Sequence, residues 1–357
     1  MPSLFDTLKI KDVTLRNRIG VSPMCQYSSH DGMANDWHLV HLGSRAIGGA
    51  GLVIAEATAV EPRGRISPQD AGLWSDEQIE PLKRITKFVK EHGAVPGIQL
   101  AHAGRKGSAA RPWEGDQSLA DEESGWEIIA PSPLAFGHKL WRVPKEMDHN
   151  DIARVQQAFR DATKRALEAG YQWLELHAAH GYLCHSFYSP LSNHRTDEYG
   201  GSFENRIRFV LETFSAMRET WPERLPFSVR LSCSDWVEGG WTIQEAIELS
   251  KKLKERGADM IDCSSGFGAP DHKNYPFAPG WQVPFSEAIR KQAGIATAAV
   301  GLITEPKQAD EIIRKEQADL ALLARQMLRD PYWPYRAAIA LNEKEKAPGP
   351  AAYAHWI

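Results

Sequence analysis

The segment His177-Ala178-Ala179-His180-Gly181-Tyr182 sets two imidazoles and a phenol close together. Histidine N–H groups can stabilise an oxygen that gains negative charge, and tyrosine can deliver a proton. The same residues also read as the start of a zinc site or as structural histidines. A metal needs a third ligand, and neither a His-x-His at the first strand nor an acidic cluster is evident. Gln99 ends a buried apolar run, where its amide needs partners. A flavin or pyrimidine edge offers alternating donors and acceptors; a nearby loop is the other source. Arg230, in Arg230-Leu231-Ser232, must also be paired if buried, by an electron-rich ring edge or by a salt bridge. Ser22-Pro23-Met24-Cys25-Gln26-Tyr27 is a weak signal alone, since a buried Cys is most often a small hydrophobe. In Val300-Gly301-Leu302-Ile303-Thr304, Gly301 permits close backbone approach and Thr304 can cap a following helix, whose N-terminus favours an anion. Ala324-Arg325 adds a fork suited to phosphate.

Eight short apolar runs must position these residues: Arg18–Ser22, Leu52–Glu56, Val95–Leu100, Trp173–His177, Phe227–Leu231, Met260–Cys263, Thr297–Val300 and Asp319–Leu323. Their composition suits parallel strands buried on both faces. Between them lie amphipathic segments, among them Gln78–Glu91, Asp151–Ala169 and Ile243–Arg256, followed closely by Gly93, Gly170 and Gly257. Glycine there predicts left-handed helix ends. The alternation predicts an α/β fold, a single (β/α)8 TIM barrel with long loops after strands 3 and 4. Those loops are Gly104–Met147 and Ser186–Asn205, and each candidate site residue falls at a C-terminal strand end, where such barrels carry their chemistry. One domain spans 1–357. Residues 347–357 form a Pro-rich, then aromatic, tail expected at a subunit interface.

The 357 residues are 42% hydrophobic, enough for a large core, and carry a formal charge of -4 without a long basic run. Nucleic acid and membrane are therefore not expected as partners. Cys25, Cys184, Cys233 and Cys263 are widely spaced, with no CxxC pair. That speaks against a disulfide framework and a structural metal, and for a reducing, cytoplasmic setting without a secretory signal.

Assembled in order, the motifs resemble the Old Yellow Enzyme family, specifically its thermophilic-like class and closest to the xenobiotic reductases. The resemblance covers nearly the whole chain. It rests on the segments already quoted and on Leu15-Arg16-Asn17-Arg18, Asp36-Trp37-His38, Glu56-Ala57-Thr58, Ser189-Pro190-Leu191-Ser192-Asn193, Arg195 to Ser202 and Glu204-Asn205-Arg206. It implies an NADPH dehydrogenase, or ene-reductase, with FMN across the barrel mouth. Ser22, Pro23, Met24, Cys25 and Ala57 would line the flavin. Gln99 and Arg230 would hold its polar edge, and Val300, Gly301, Ala324 and Arg325 its phosphate. Cys25 would tune the potential; classical members carry Thr there. His177 and His180 would grip a carbonyl or nitro oxygen, Tyr182 would protonate, and Tyr27 would set a second hydroxyl over the substrate. NADPH, or else NADH, would deliver hydride through flavin N5 to enones, enals, maleimides, nitro compounds or quinones, in ping-pong order. Close relatives often carry a C-terminal Arg that reaches a neighbour's site. This chain has instead Tyr353-Ala354-His355-Trp356-Ile357, similar to the xenobiotic-reductase tail, which implies that Trp356 binds substrate across the interface of a homodimer or homotetramer. A metal-dependent TIM-barrel hydrolase and a non-catalytic flavin-binding protein are the rival readings. Retention of His177, His180 and Tyr182 speaks against the second.

Overall fold

Eight parallel strands pair edge to edge and close on themselves. They are β1 (Ile19–Val21), β2 (Leu52–Ala59), β3 (Val95–Ala101), β4 (Trp173–Ala178), β5 (Phe227–Ser232), β6 (Met260–Ser264), β7 (Ala296–Ala299) and β8 (Leu320–Leu323). Closure comes from β8 beside β1, with Leu322 opposite Gly20. All residues of β2 to β6 are buried. Strands wrapped by helices have no solvent face, so they lack polar alternation on the outside. The computed structural model describes residues 2–271, 273–347 and 349–354.

The surrounding helices are α1 (Asp36–Ile47), α2 (Ile79–Glu91), α3 (His149–Glu168), α4 (Leu183–Tyr188), α5 (Phe203–Arg218), α6 (Ile243–Glu255), α7 (Val283–Ala293), α8 (Pro306–Arg314), α9 (Arg325–Arg329) and α10 (Trp333–Ala340). In α2 the buried stripe is Ile79, Leu82, Ile85 and Val89, at the helical period that the sequence suggests. Side chains satisfy free N–H groups at several starts: Asp148 accepts from Asp151 in α3, and Thr242 from Glu245 in α6. After α2, α3 and α6, Gly93, Gly170 and Gly257 take φ of +76, +84 and +93°. An N-terminal hairpin, Leu8–Ile10 with Val13–Leu15, precedes the barrel. The Asp12 N–H bonds the Arg224 carbonyl at 3.0 Å, on the segment entering β5, so the hairpin sits at the N-terminal end of the strands.

Three local expectations change. Strand β2 runs on to Ala59, because a bulge between Ala55 and Ala57 absorbs Glu56 and pairing resumes beyond it. The segment 186–205 is less of a loop than expected. It begins inside α4 and ends inside α5, where the Ser202 side chain accepts from the Asn205 N–H. Thr304 is not a cap. Helix α8 has Glu305 at its N-cap, followed by Pro306, and the Thr304 N–H turns to Gln308 Oε1 at 3.1 Å. Segment 104–147 has little regular structure, with short helical turns and a two-residue parallel pairing of Ile129–Ala130 with Lys145–Glu146. Among the described residues no helix is long and apolar enough to cross a membrane. Trp356 lies outside the described residues.

Candidate active site

The parallel register brings polar residues of β3 to β6 together inside the barrel. Gln99 lies beside Glu175, Glu175 beside Ser228, His177 beside Arg230, and Arg230 beside Asp262. All six are buried, so their polar atoms must find one another. Gln99 Nε2 donates to Glu175 Oε1 at 2.9 Å, and Ser228 Oγ donates to Glu175 Oε2 at 2.9 Å. Arg230 Nε lies 3.1 Å from Asp262 Oδ2, and its Nη1 donates to Ser22 Oγ at 3.2 Å. One guanidinium thus faces two carboxyls. Burial, then repulsion from Asp262, pushes Glu175 up to about 8, while burial raises Asp262 to about 6 against the pull of Arg230. Burial thus works against two charged carboxyls beside one guanidinium.

Above this layer His177 stands near the end of β4, and the turn after it carries His180 and Tyr182. The imidazoles are perpendicular with centroids 5.2 Å apart, and the Tyr182 ring stands edge-on to His177 at 5.0 Å. His177 Nδ1 accepts the Ala179 N–H at 3.2 Å, which assigns the ring proton to Nε2. His180 Nε2 lies 2.6 Å from Ser264 Oγ. Burial, and then the charge of Arg230, drives both histidine pKa values well below their ordinary range. They are uncharged N–H donors, not cations. Lys106, which sequence reading passed over, donates from Nζ to the His180 carbonyl at 2.9 Å and lies 4.9 Å from the Tyr182 ring centre.

Cys25, Tyr27 and Tyr182 pack together on Ile66, Ala103 and Ala109. Burial, then Asp70 and Glu56, raises the Cys25 pKa well above normal, so the sulfur is a thiol. Tyr27 has φ +50° and meets the edge of Trp113 at 5.8 Å. Ala57, just past the β2 bulge, lines a small void with Asp70 and Tyr182. Pro23 and Met24 are half-buried beside Ser22.

A cavity of about 270 Å³ joins the two halves of the site. His180 and Arg230 line it at one side, and Val300, Gly301, Ala324 and Arg325 at the other. Gly301 has φ +118°, and a Cβ there would lie 2.8 Å from Gln282 Nε2, so the cradle is open only to glycine. Arg325 and Arg329 line the same cavity. Neither has a carboxylate partner among the described residues. An anion-ready end, a guanidinium beneath the middle and uncharged donors above it fit FMN: phosphate, isoalloxazine edge and substrate face. The metal alternative finds no support here. Among the described residues the one His/Asp/Glu group with metal-like spacing is His149, Asp197 and Glu198, away from the His177–His180 pair.

Such a site suits a cofactor that carries its own redox chemistry while the protein binds and polarises. The family model for the NADH:flavin oxidoreductase / NADH oxidase family matches residues 3–344. The chain belongs to that family, is a member of the Old Yellow Enzyme group within it, and is an FMN-dependent oxidoreductase using a nicotinamide donor. It is 50% identical over 341 residues to an NADPH dehydrogenase of Geobacillus sp. (strain WCH70), covering 95% of this chain and 94% of that one. It is 49% identical over 347 residues to an NADPH dehydrogenase of Bacillus subtilis (strain 168), covering 97% of each. Among solved structures, the old yellow enzyme homologue from Zymomonas mobilis superposes with a TM-score of 0.77 at 27% identity, covering 94% of this chain and 92% of that one. Morphinone reductase in complex with tetrahydroNAD gives 0.78 at 26%, covering 95% and 91%.

Sequence reading missed Glu175, Asp262, Ser264, Lys106 and Arg329. A signal for the first two was present, since a carboxylate inside a buried strand demands a partner.

Proposed function

We propose that the protein reduces activated carbon–carbon double bonds with electrons from NADPH, with NADH as the weaker donor. Enones, enals and maleimides are the main acceptor class, with nitro compounds and quinones as further candidates. FMN, when bound, would supply the hydride transfer between the nicotinamide and the acceptor. The observation that carries this reading is the clustering of the His177, His180 and Tyr182 rings, with His180 lining the cavity that ends at Gly301 and Arg325.

His177 and His180 hold the acceptor's electron-withdrawing oxygen, where charge accumulates in the transition state. Because both are uncharged, they stabilise that charge without transferring a proton to it. Tyr182 gives its phenolic proton to Cα, and Tyr27 orients the acceptor from above. Arg230 and Gln99 would hold the flavin's polar edge, where the Arg230 guanidinium would favour negative charge. Ser22, Pro23, Met24, Cys25 and Ala57 pack along the ring, with the neutral Cys25 thiol tuning its potential. Val300, Gly301, Ala324 and Arg325 enclose the phosphate. One cavity serves donor and acceptor in turn, so ping-pong kinetics are expected. We place the protein in the cytoplasm, on its four free thiols.

A visible spectrum of the purified protein, followed by anaerobic NADPH oxidation with 2-cyclohexenone, tests the whole reading. Colourless protein after reconstitution, or yellow protein inert to every enone, nitro compound and quinone, would end it. Arg325→Leu is expected to weaken FMN binding about 10–100-fold, the worth of a charge-assisted contact to phosphate. Flavin fluorescence titration measures this, and an unchanged Kd removes Arg325 from the phosphate site.

The chain is proposed to act as a homodimer or homotetramer whose tail places Trp356 at a partner's acceptor site. Deleting residues 351–357 is then expected to raise KM for the acceptor several-fold, to an extent set by how much of the site the tail covers. Steady-state kinetics that do not change would reject that placement.

A further inference from the structure

The turn that presents His180 and Tyr182 is built from two successive left-handed residues, His180 at φ +61° and Gly181 at φ +75°. Such a conformation is costly for a residue with a side chain and persists only where its surroundings hold it. Four side chains do so, one of them Ser186, whose Oγ donates to the Gly181 carbonyl at 3.1 Å. Ser232 Oγ accepts the His180 N–H at 2.9 Å, and Lys106 Nζ donates to the His180 carbonyl at 2.9 Å. The last is His185, whose Nδ1 accepts the Gly181 N–H at 2.8 Å.

The His185 contact demands a particular tautomer. Nδ1 can accept only without a proton, so the proton belongs on Nε2, which lies 2.9 Å from Asp235 Oδ1. Asp235 is itself fixed: its Oδ2 accepts from Ser189 Oγ at 2.6 Å and from the Trp241 N–H at 2.8 Å. Both side chains of the pair are fully buried. Space for them is reserved by glycine. A Cβ on Gly268 would lie 2.7 Å from Asp235 Oδ1 and 2.9 Å from His185 Cε1. Neither residue lines the cavity. A buried imidazole–carboxylate pair is rarely better for stability than apolar side chains of the same volume. Its use here calls for another reason.

We propose that His185 and Asp235 are positioning residues for acceptor reduction, with Asp235 fixing the His185 tautomer and His185 locking the left-handed turn that aims His180 and Tyr182. The pair touches neither substrate nor flavin and acts through the Gly181 N–H. The assignment rests on the reading of His180 and Tyr182 given above.

The test compares His185→Gln, which can accept from Gly181 and donate to Asp235, with His185→Leu, which can do neither. The double variant H185L/D235N is made alongside, because His185→Leu leaves the Asp235 carboxylate facing an apolar side chain. Each variant, as FMN holoenzyme, is checked for flavin content and Tm. Flavin reduction by NADPH and reoxidation by 2-cyclohexenone are then followed separately by stopped flow. The leucine variant that retains flavin is expected to reoxidise about 10²-fold more slowly, the scale of a roughly 1 Å misplacement of reacting groups. Its solvent isotope effect should rise as proton delivery becomes limiting, and H185Q should recover most of the rate. Leucine variants that reoxidise at wild-type speed, or an H185Q protein as slow as they are, overturn the proposal. Wild-type protein that reduces no enone removes both this assignment and the reading beneath it.

Discussion

Tyr182→Phe is expected to slow flavin reoxidation by an enone about 10²–10⁴-fold, the usual share of a positioned general acid, and to leave flavin reduction by NADPH within a few-fold. The asymmetry follows from proton bookkeeping. Hydride leaving NADPH needs no protein acid, whereas saturating a double bond needs a proton at Cα. Burial, followed by the nearby Cys25, Asp70 and Asp116, raises the Tyr182 pKa well above its ordinary value, so the phenol is fully protonated at working pH. It is a poor acid at rest and gives up its proton only as negative charge builds on the acceptor. Lys106, 4.9 Å from the ring centre, favours the resulting phenolate. The loss of one hydroxyl leaves the edge-on contact with His177 in place, so oxygen binding should survive. Stopped-flow absorbance at the flavin band separates the two halves. Equal slowing of both would mean that Tyr182 shapes the pocket without donating.

The barrel was legible in the sequence because parallel strands covered on both faces are short uninterrupted apolar runs, and because Gly93, Gly170 and Gly257 mark helix ends. The bulge at Glu56 was not, since a bulge depends on a register with β3 that local pattern does not encode. Helix α5 was partly hidden because its start, Phe203-Glu204-Asn205, is mostly polar and exposed or half-buried and reads like a loop. At the site, residue types were legible and partners were not. His180 read as an oxyanion donor, ahead of a metal ligand, with a structural role as the third reading, and no local pattern pointed to Ser264, 84 residues away, beside its Nε2. Arg230 had been read as either a ring-edge contact or a salt bridge. It pairs with Asp262 and also lines the cavity. Glu175 and Asp262 sit in step with His177 and Ser264 on the inward period of their strands. Their shared dependence on Arg230 is a property of the closed barrel, not of any segment.

That dependence makes Arg230→Met the variant with the largest expected effect on stability. Removing one partner of a buried ion pair costs about 3–5 kcal/mol, because the other charge is left without compensation. Here the loss should depend on pH. Asp262 stands at about 6 and Glu175 at about 8 with the arginine present, both raised chiefly by burial and both lowered by Arg230. Without it each moves further up. A carboxyl whose folded pKa exceeds its unfolded value contributes stability below the unfolded value, about 4, and loses it as pH rises through the folded one. The deficit of Arg230→Met apoprotein in urea unfolding should therefore be small near pH 5, open above about pH 6 where Asp262 ionises beside the arginine, and still be growing at pH 8. The double variant R230M/D262N should recover most of the loss at pH 8, since it removes the stranded carboxylate. A deficit that is flat with pH, or a double variant no better than the single, would assign the damage to packing. Weakened FMN binding should accompany the substitution across the whole range, as the proposed contact of Arg230 with the flavin edge requires. The pH axis thus separates the two duties of Arg230: cofactor contact is lost throughout, whereas fold stability is lost only where Asp262 and Glu175 ionise.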